Sequence, residues 1–138
     1  MTVPAVRTVA DEVWAALSAI TGVNHYDGDV DSEPPKDPDG AVHAYLVFYP
    51  GAGRSYSDRV SGRGSRFAWT FQVTCVGGDR TRCLWCVDKV RAALAGQRIS
   101  IGRITELGGN ESRMPTVDYD TTPRRRYVPL DFGVRAAG

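Results

Sequence analysis

The stretch SRFAWTFQVTCVGGDRTRCLWCVDKVRAAL, residues 65 to 94, constrains the fold more than any other, because its hydrophobic period changes once and abruptly. Phe67, Trp69, Phe71, Val73 and Cys75 alternate with Thr70, Gln72 and Thr74, the period-2 pattern of a strand with one buried and one polar face. Gly77 and Gly78 then interrupt the strand. Asp79 can accept backbone N–H bonds as an N-cap and Gly96 supplies a stop, so residues 80 to 95 are predicted to form a helix. At about 100° per residue, Cys83, Val87, Val90 and Leu94 share one stripe, with Cys86 on its shoulder. The strand buries its apolar side against helices, and this helix turns an apolar stripe towards the same core.

The rest of the chain is read the same way. Val6, Ala10, Val13, Leu17 and Ile20 recur at helical spacing, predicting a helix over residues 4 to 20 that Gly22 ends. A short strand is expected near 23 to 27 and another over AVHAYLVFYP, residues 41 to 50. The glycine-rich segment after it reads as a long connection between two antiparallel strands. QRISIGRI (97 to 104), SRMPTVDYD and RRRYVPLDFGV are extended patterns, and Val128, Leu130, Phe132 and Val134 alternate inward. Pro129 suggests an edge strand or a bulge there. At 138 residues, 42% hydrophobic and 24% charged, the chain suits one domain with one core. The expectation is a single α+β domain over 1–138: a mostly antiparallel sheet, two α-helices packed on one face, and a long β-hairpin loop.

Several function classes lose support at this level. Asp11 and Glu12 interrupt the apolar pattern at the start, so neither a signal peptide nor a membrane span is expected. Three cysteines in a reducing cytoplasm read as free thiols. Cys83 lies about a turn inside its helix, too deep for a thioredoxin-like nucleophile. A zinc site would have to recruit Cys75, His25 and His43 at irregular spacing, and the histidines read as ordinary strand residues. GAGRSYS lacks the lysine of a phosphate-binding loop and the third glycine of a dinucleotide fingerprint. No G-x-S-x-G or H-E-x-x-H is present, so no catalytic residue, metal or cofactor is expected.

Charge is distributed unevenly although the net is only +1. Residues 27 to 39 hold six acids, among them Asp29, Asp31 and Glu33, against Lys36. Residues 51 to 66 hold Arg54, Arg59, Arg63 and Arg66 against Asp58. These are either two solvated loops or complementary poles able to attract a second copy of the chain. Helical phase places Trp85 at about 200° from Cys83, facing outward among Arg82, Asp88 and Lys89, where it is expected to serve as a contact anchor that leaves monomer folding untouched when removed.

FQVTCVGGDRTRCLWCVDKVRAAL, the D-Y-D element and the closing PRRRYVPLDFGV, with Arg124, Arg125 and Arg126, resemble the tail terminator proteins of long, non-contractile-tailed bacteriophages of actinobacteria. The likeness covers nearly the whole chain in element order, but the acidic loop at 27 to 39 has no counterpart in it. It implies a virion subunit, assembled in host cytoplasm, that forms a ring, expected to be a hexamer, on the head-proximal end of the tail tube. Its partners would be further copies of itself, the major tail tube protein and the head-tail connector or stopper protein, with DNA passing through the lumen without sequence-specific binding. The alternatives are a connector or stopper component of the neck, a host-modifying enzyme, or a nucleic-acid binder using Arg54, Arg59, Arg63 and Arg66 on phosphates.

Overall fold

A computed structural model describes residues 5–30, 33–56 and 66–137. The protein is an α+β fold built on a mixed, mostly antiparallel sheet. Helix α1 (Val6–Ser18) leads to strand β1 (Asn24–Asp27), which pairs in parallel with β2 (Tyr45–Pro50). Next come β3 (Arg54–Tyr56), β4 (Arg66–Gly77) and helix α2 (Arg80–Leu94). A small ribbon, β5 (Arg98–Ile99) with β6 (Gly102–Arg103), precedes β7 (Thr105–Glu106), a 3-10 turn at Asn110–Ser112, β8 (Thr116–Asp118) and β9 (Arg125–Ala137). The sheet order is β1-β2-β4-β9-β7, with β3 also on β4 and β8 also on β9. Neither helix is long and apolar enough to cross a membrane.

The strand–glycine–helix unit is the centre of the molecule. Phe67, Trp69, Phe71, Val73 and Cys75 are all buried and form one cluster with Val9, Val13 and Leu17 of α1 and Cys83, Cys86, Val87, Val90 and Leu94 of α2. Both helices therefore lie on the same face of the sheet. Cys86, expected on the shoulder of the α2 stripe, is fully buried within it. Along β9, Val128, Leu130, Phe132 and Val134 join the same core, and Phe132 stacks on Phe71 with centroids 5.4 Å apart.

The two glycines are required by close approach. A Cβ on Gly77 would lie 2.5 Å from the Cys83 backbone nitrogen, and one on Gly78 would lie 2.7 Å from that of Val42. The sheet can turn into α2, and the segment before β2 can lie against that turn, because neither position carries a side chain. Asp79 caps α2 as expected, accepting the Arg82 N–H at 2.8 Å. Gly96 adopts the left-handed conformation just past its end (φ 76°).

Several local expectations need correction. Helix α1 stops at Ser18, ahead of Gly22, which instead occupies the turn beyond it at φ 88°. QRISIGRI is no single strand: it folds back at Ser100–Ile101, where Glu12 of α1 accepts from the Ser100 hydroxyl at 2.7 Å. β2 and β4 do form the long antiparallel hairpin, but β3 lies within its connection, and residues 57 to 65 fall outside the described residues. Gly51 to Gly53 span only Trp69 and Thr70 opposite, a one-residue bulge between β2 and β3.

Pro129 sits in unbroken register opposite Thr74 on an interior strand, with neither of the expected irregularities. What it does have is a local gap, because β8 and β7 cover the outer side of β9 only at residues 125–127 and 132–133. Side chains fill the space between. Asn110, the one buried polar side chain among the described residues, accepts from the Asp131 N–H and donates to its carbonyl, both at 2.9 Å, as a neighbouring peptide would. Arg113 donates to the Pro129 carbonyl at 2.8 Å. A proline is tolerated because its outer side meets a side chain rather than a ladder.

Replacing Gly77 with Ala is expected to lower unfolding free energy by about 3 kcal/mol, since backbone rather than a flexible side chain must yield. Gly108, whose added Cβ would meet nothing within 4 Å, is the control. Its Ala variant should remain within about 0.5 kcal/mol of the parent in urea denaturation.

Candidate functional site

The start of α2 gathers most of the charge-bearing chemistry. Residues 35 to 43 form a tight hairpin: His43 N–H donates to the Pro35 carbonyl, Lys36 bridges Val42, and Asp37 N–H donates to Ala41. Its turn is Asp37-Pro38-Asp39-Gly40, with Gly40 at φ 86°. Proline then aspartate then a left-handed glycine is a sequence signal for such a turn, and it lies within the segment read as an open acidic loop.

Arg82 fastens this hairpin to the helix. Its Nε meets Asp37 Oδ2 at 2.6 Å, Nη2 meets Asp39 Oδ2 at 2.9 Å, and Nη1 bonds the cap residue Asp79. Bonding from Arg82, reinforced by His43, holds the Asp37 carboxyl below the usual carboxylate range. The Ala41 N–H and then Arg82 do the same for Asp39. The arginine is held more firmly in its charged form, chiefly by Asp37. His43, expected within a strand over 41 to 50, precedes β2, which begins only at Tyr45, and instead links two segments through Asp37 and the Gly22 carbonyl. His25 is in β1, with Nε2 2.8 Å from the Ile20 carbonyl oxygen.

Trp85 is exposed, as helical phase predicts, but it also touches its own chain. It keeps 38% of its surface exposed, but the indole rests on Gly22, where an added Cβ would fall 2.9 Å from Cη2. The His43 ring meets it edge-on at 6.2 Å, and Lys89 Nζ lies 5.3 Å from its centre. Trp85 thus contacts the turn after α1 on one side and remains open on the other. Leu84, 41% exposed, has the more outward position, with Asp88 exposed one turn on.

The other expected contact residues are dispersed. Asp29 is exposed just after β1, and Glu33 lines a small depression with Lys36, Pro123 and Arg125. Arg54 stacks over Tyr56 at 5.0 Å, and Arg66 is exposed at the start of β4. Asp31, Arg59 and Arg63 lie outside the described residues. Arg124 covers the Tyr119 ring at 4.7 Å. Arg125 turns inward, donating to the Tyr45 hydroxyl at 2.7 Å and approaching Asp118, while Arg126 is half-buried opposite Gly77. The three arginines do not make one patch: Arg124 precedes β9 and covers Tyr119, whereas Arg125 and Arg126, successive residues of the strand, alternate faces.

Beyond these, Met114 (76% exposed) and Tyr119 (70%) project from the segment before β9, and Tyr49 and Leu107 flank the open face of the sheet around Thr70 and Gln72. The sequence reading missed these four. An exposed methionine or tyrosine next to an arginine is the composition that interfaces favour, which was the available signal.

The three cysteines are free and buried. Burial pushes the Cys83 thiol up to about 12 and Cys75 well above its ordinary value. Among the described residues, no group of three or more His, Cys, Asp or Glu side chains is arranged to hold a metal ion.

The arrangement is that of an α+β domain with a charged clasp at one helix start and exposed aromatic, methionine and leucine side chains on separate sides. No protein-family model matches the chain, and no curated protein matches it.

Depressed carboxylates contribute stability that is complete above the ordinary carboxylate range and lost as pH falls through it. Amide exchange at Gly40 and Ala41 should therefore accelerate in acid before the amides of Val73 and Leu130 respond. Arg82→Gln should produce the same local loosening at neutral pH, whereas Arg80→Gln should not.

Proposed function

We propose that the protein is a structural subunit of a bacteriophage tail, a terminator that assembles as a ring, expected to be a hexamer, on the head-proximal end of the tail tube. The observation that carries this reading is the likeness of the strand, double glycine and long helix of residues 71 to 94, together with PRRRYVPLDFGV, to such proteins. The distribution of exposed apolar side chains supports it. A ring subunit needs two different patches for its neighbours and further surfaces above and below. Leu84 beside Trp85 on α2, Tyr49 with Leu107 on the open sheet face, and Met114 with Tyr119 near β9 are three separate candidates. Arg124 over Tyr119 and Lys89 over Trp85 give two of them the aromatic-plus-cation character of interface hot spots.

In this reading the clasp holds Asp37 and Asp39 within their own chain, leaving Asp27, Asp29 and Glu33 as the acids of this segment, among the described residues, available to a neighbour. Their contacts with the arginines of residues 54 to 66 would be weakened by salt, since exposed charges are screened beyond about 8 Å at physiological ionic strength.

Sedimentation velocity tests the proposal. The purified chain should form a discrete closed species of several copies, expected to be six. Leu84→Glu should keep the monomer fold by circular dichroism and shift that species towards monomer, by about 2 kcal/mol or more per interface, the range of a hot spot. A chain that is monomeric at every concentration, or a ring unmoved by Leu84→Glu, Tyr49→Glu and Tyr119→Glu alike, would contradict it. Salt-sensitive DNA binding by that monomer would favour the nucleic-acid reading instead.

A further inference from the structure

The face of the sheet turned away from the helices carries a cationic row. Arg54 on β3, Ala68 on β4 and Arg135 on β9 stand opposite one another in register. Ala68 lies between the buried Phe67 and Trp69 on its strand, so these three residues belong to the face away from the core. Arg103 joins them: with Ala68, Thr70, Gly133 and Arg135 it lines a depression of about 530 Å³. The floor is low because its side chains are small or absent. Leu107 stands over Gly133, where an added Cβ would fall 3.2 Å from its Cδ2.

The charge in this groove is uncompensated within the chain. Arg54, Arg103 and Arg135 are all exposed. Arg54 rests on the Tyr56 ring and Arg103 donates to the Gly96 carbonyl at 2.7 Å, both neutral partners. Among the described residues, none of the three is paired with a carboxylate. The opposite condition holds at the far edge of the sheet. There Asp27 ends β1, and Asp27, Asp29 and Glu33 are exposed and have no cationic partner among the described residues. The strand order β1-β2-β4-β9-β7 puts β1 at one edge and Arg135's strand next to the other.

We propose that the groove marked by Arg54, Arg103 and Arg135 receives Asp27, Asp29 and Glu33 of a second copy of the chain. This rests on the reading that the protein assembles with itself, and it names the surface that does so. Three unpaired cations face three unpaired anions, and the two sets lie towards opposite edges of one sheet. Each copy therefore gives its acids to one neighbour and receives those of another, the head-to-tail contact that a closed ring requires. Nucleic acid fits the groove less well. Ala68, Thr70 and Gly133 give bases no aromatic ring to stack on. The adjoining depression, which shares Thr70 and Leu107, holds Asp131 and Gln72, so the cationic character does not continue as a stripe.

Sedimentation velocity on charge-reversed variants of the full chain tests the assignment. Arg103→Glu with Arg135→Glu should weaken self-association about tenfold or more, and Asp27→Lys with Asp29→Lys and Glu33→Lys should do the same. An equimolar mixture of the two variants should associate again, because each supplies the complement that the other lacks. Circular dichroism checks that both fold; Arg135→Glu alone, which leaves the Arg103 bond to Gly96 intact, serves where the double variant does not. Rings of undiminished stability in both variants, or a mixture that stays dissociated, would overturn the assignment while leaving the ring reading intact. A parent chain that never associates would overturn both. Oligonucleotide binding that Arg135→Glu abolishes, with self-association unchanged, would give the groove to nucleic acid instead.

Discussion

Three backbones converge where β4 ends, and the fold depends on their being able to touch. Gly77 brings the strand against the first turn of α2, and Gly78 brings that turn against Val42, whose carbonyl accepts the Gly78 N–H at 2.9 Å. This contact sets where α2 begins and so which of its faces meets the sheet. It also carries the hairpin of residues 35 to 43 to within reach of Arg82. The clasp of Arg82 with Asp37, Asp39 and Asp79 depends on that placement, because a guanidinium serves several carboxylates only where the backbone has already brought them together.

Features that depend on local periodicity were legible in the sequence. The alternation through β4, the Asp79 cap, the buried stripe of α2 and the inward residues of β9 all follow from spacing within one element, and the structure has each of them. Features that depend on a distant partner were not. Arg82 reads as a rim cation on an exposed face, because two of its three carboxylates, Asp37 and Asp39, lie more than forty residues earlier in the chain. Trp85 is outward as its helical phase predicts, but its contact with Gly22, whose missing side chain admits the indole, has no signal in that phase. Pro129 reads as an irregularity because Asn110, which fills the adjacent gap, belongs to a segment with no periodic pattern. The Asp-Pro-Asp-Gly turn was legible and was hidden by the composition of its surroundings.

The same distinction applies to the candidate interaction site. Charge patterning identified an acidic and a basic segment but could not tell which charges are already satisfied within the chain. Asp37 and Asp39 are, and Arg125 is turned to Tyr45 and Asp118. Among the described residues, what remains for a partner includes exposed apolar and aromatic side chains on α2, beside the open sheet face and before β9, with Asp29 and Glu33 nearby in sequence to the clasp. Exposed apolar groups on separate elements are what the proposed ring subunit would need for contacts with several neighbours.

The most direct measurement of that role is negative-stain imaging of purified tail tubes mixed with the purified protein. The account predicts a single ring of density at one end of each tube and no further growth of capped tubes when tube subunits are added. Bare tube ends that continue to elongate, or density that appears on the isolated head connector and never on tubes, would contradict it.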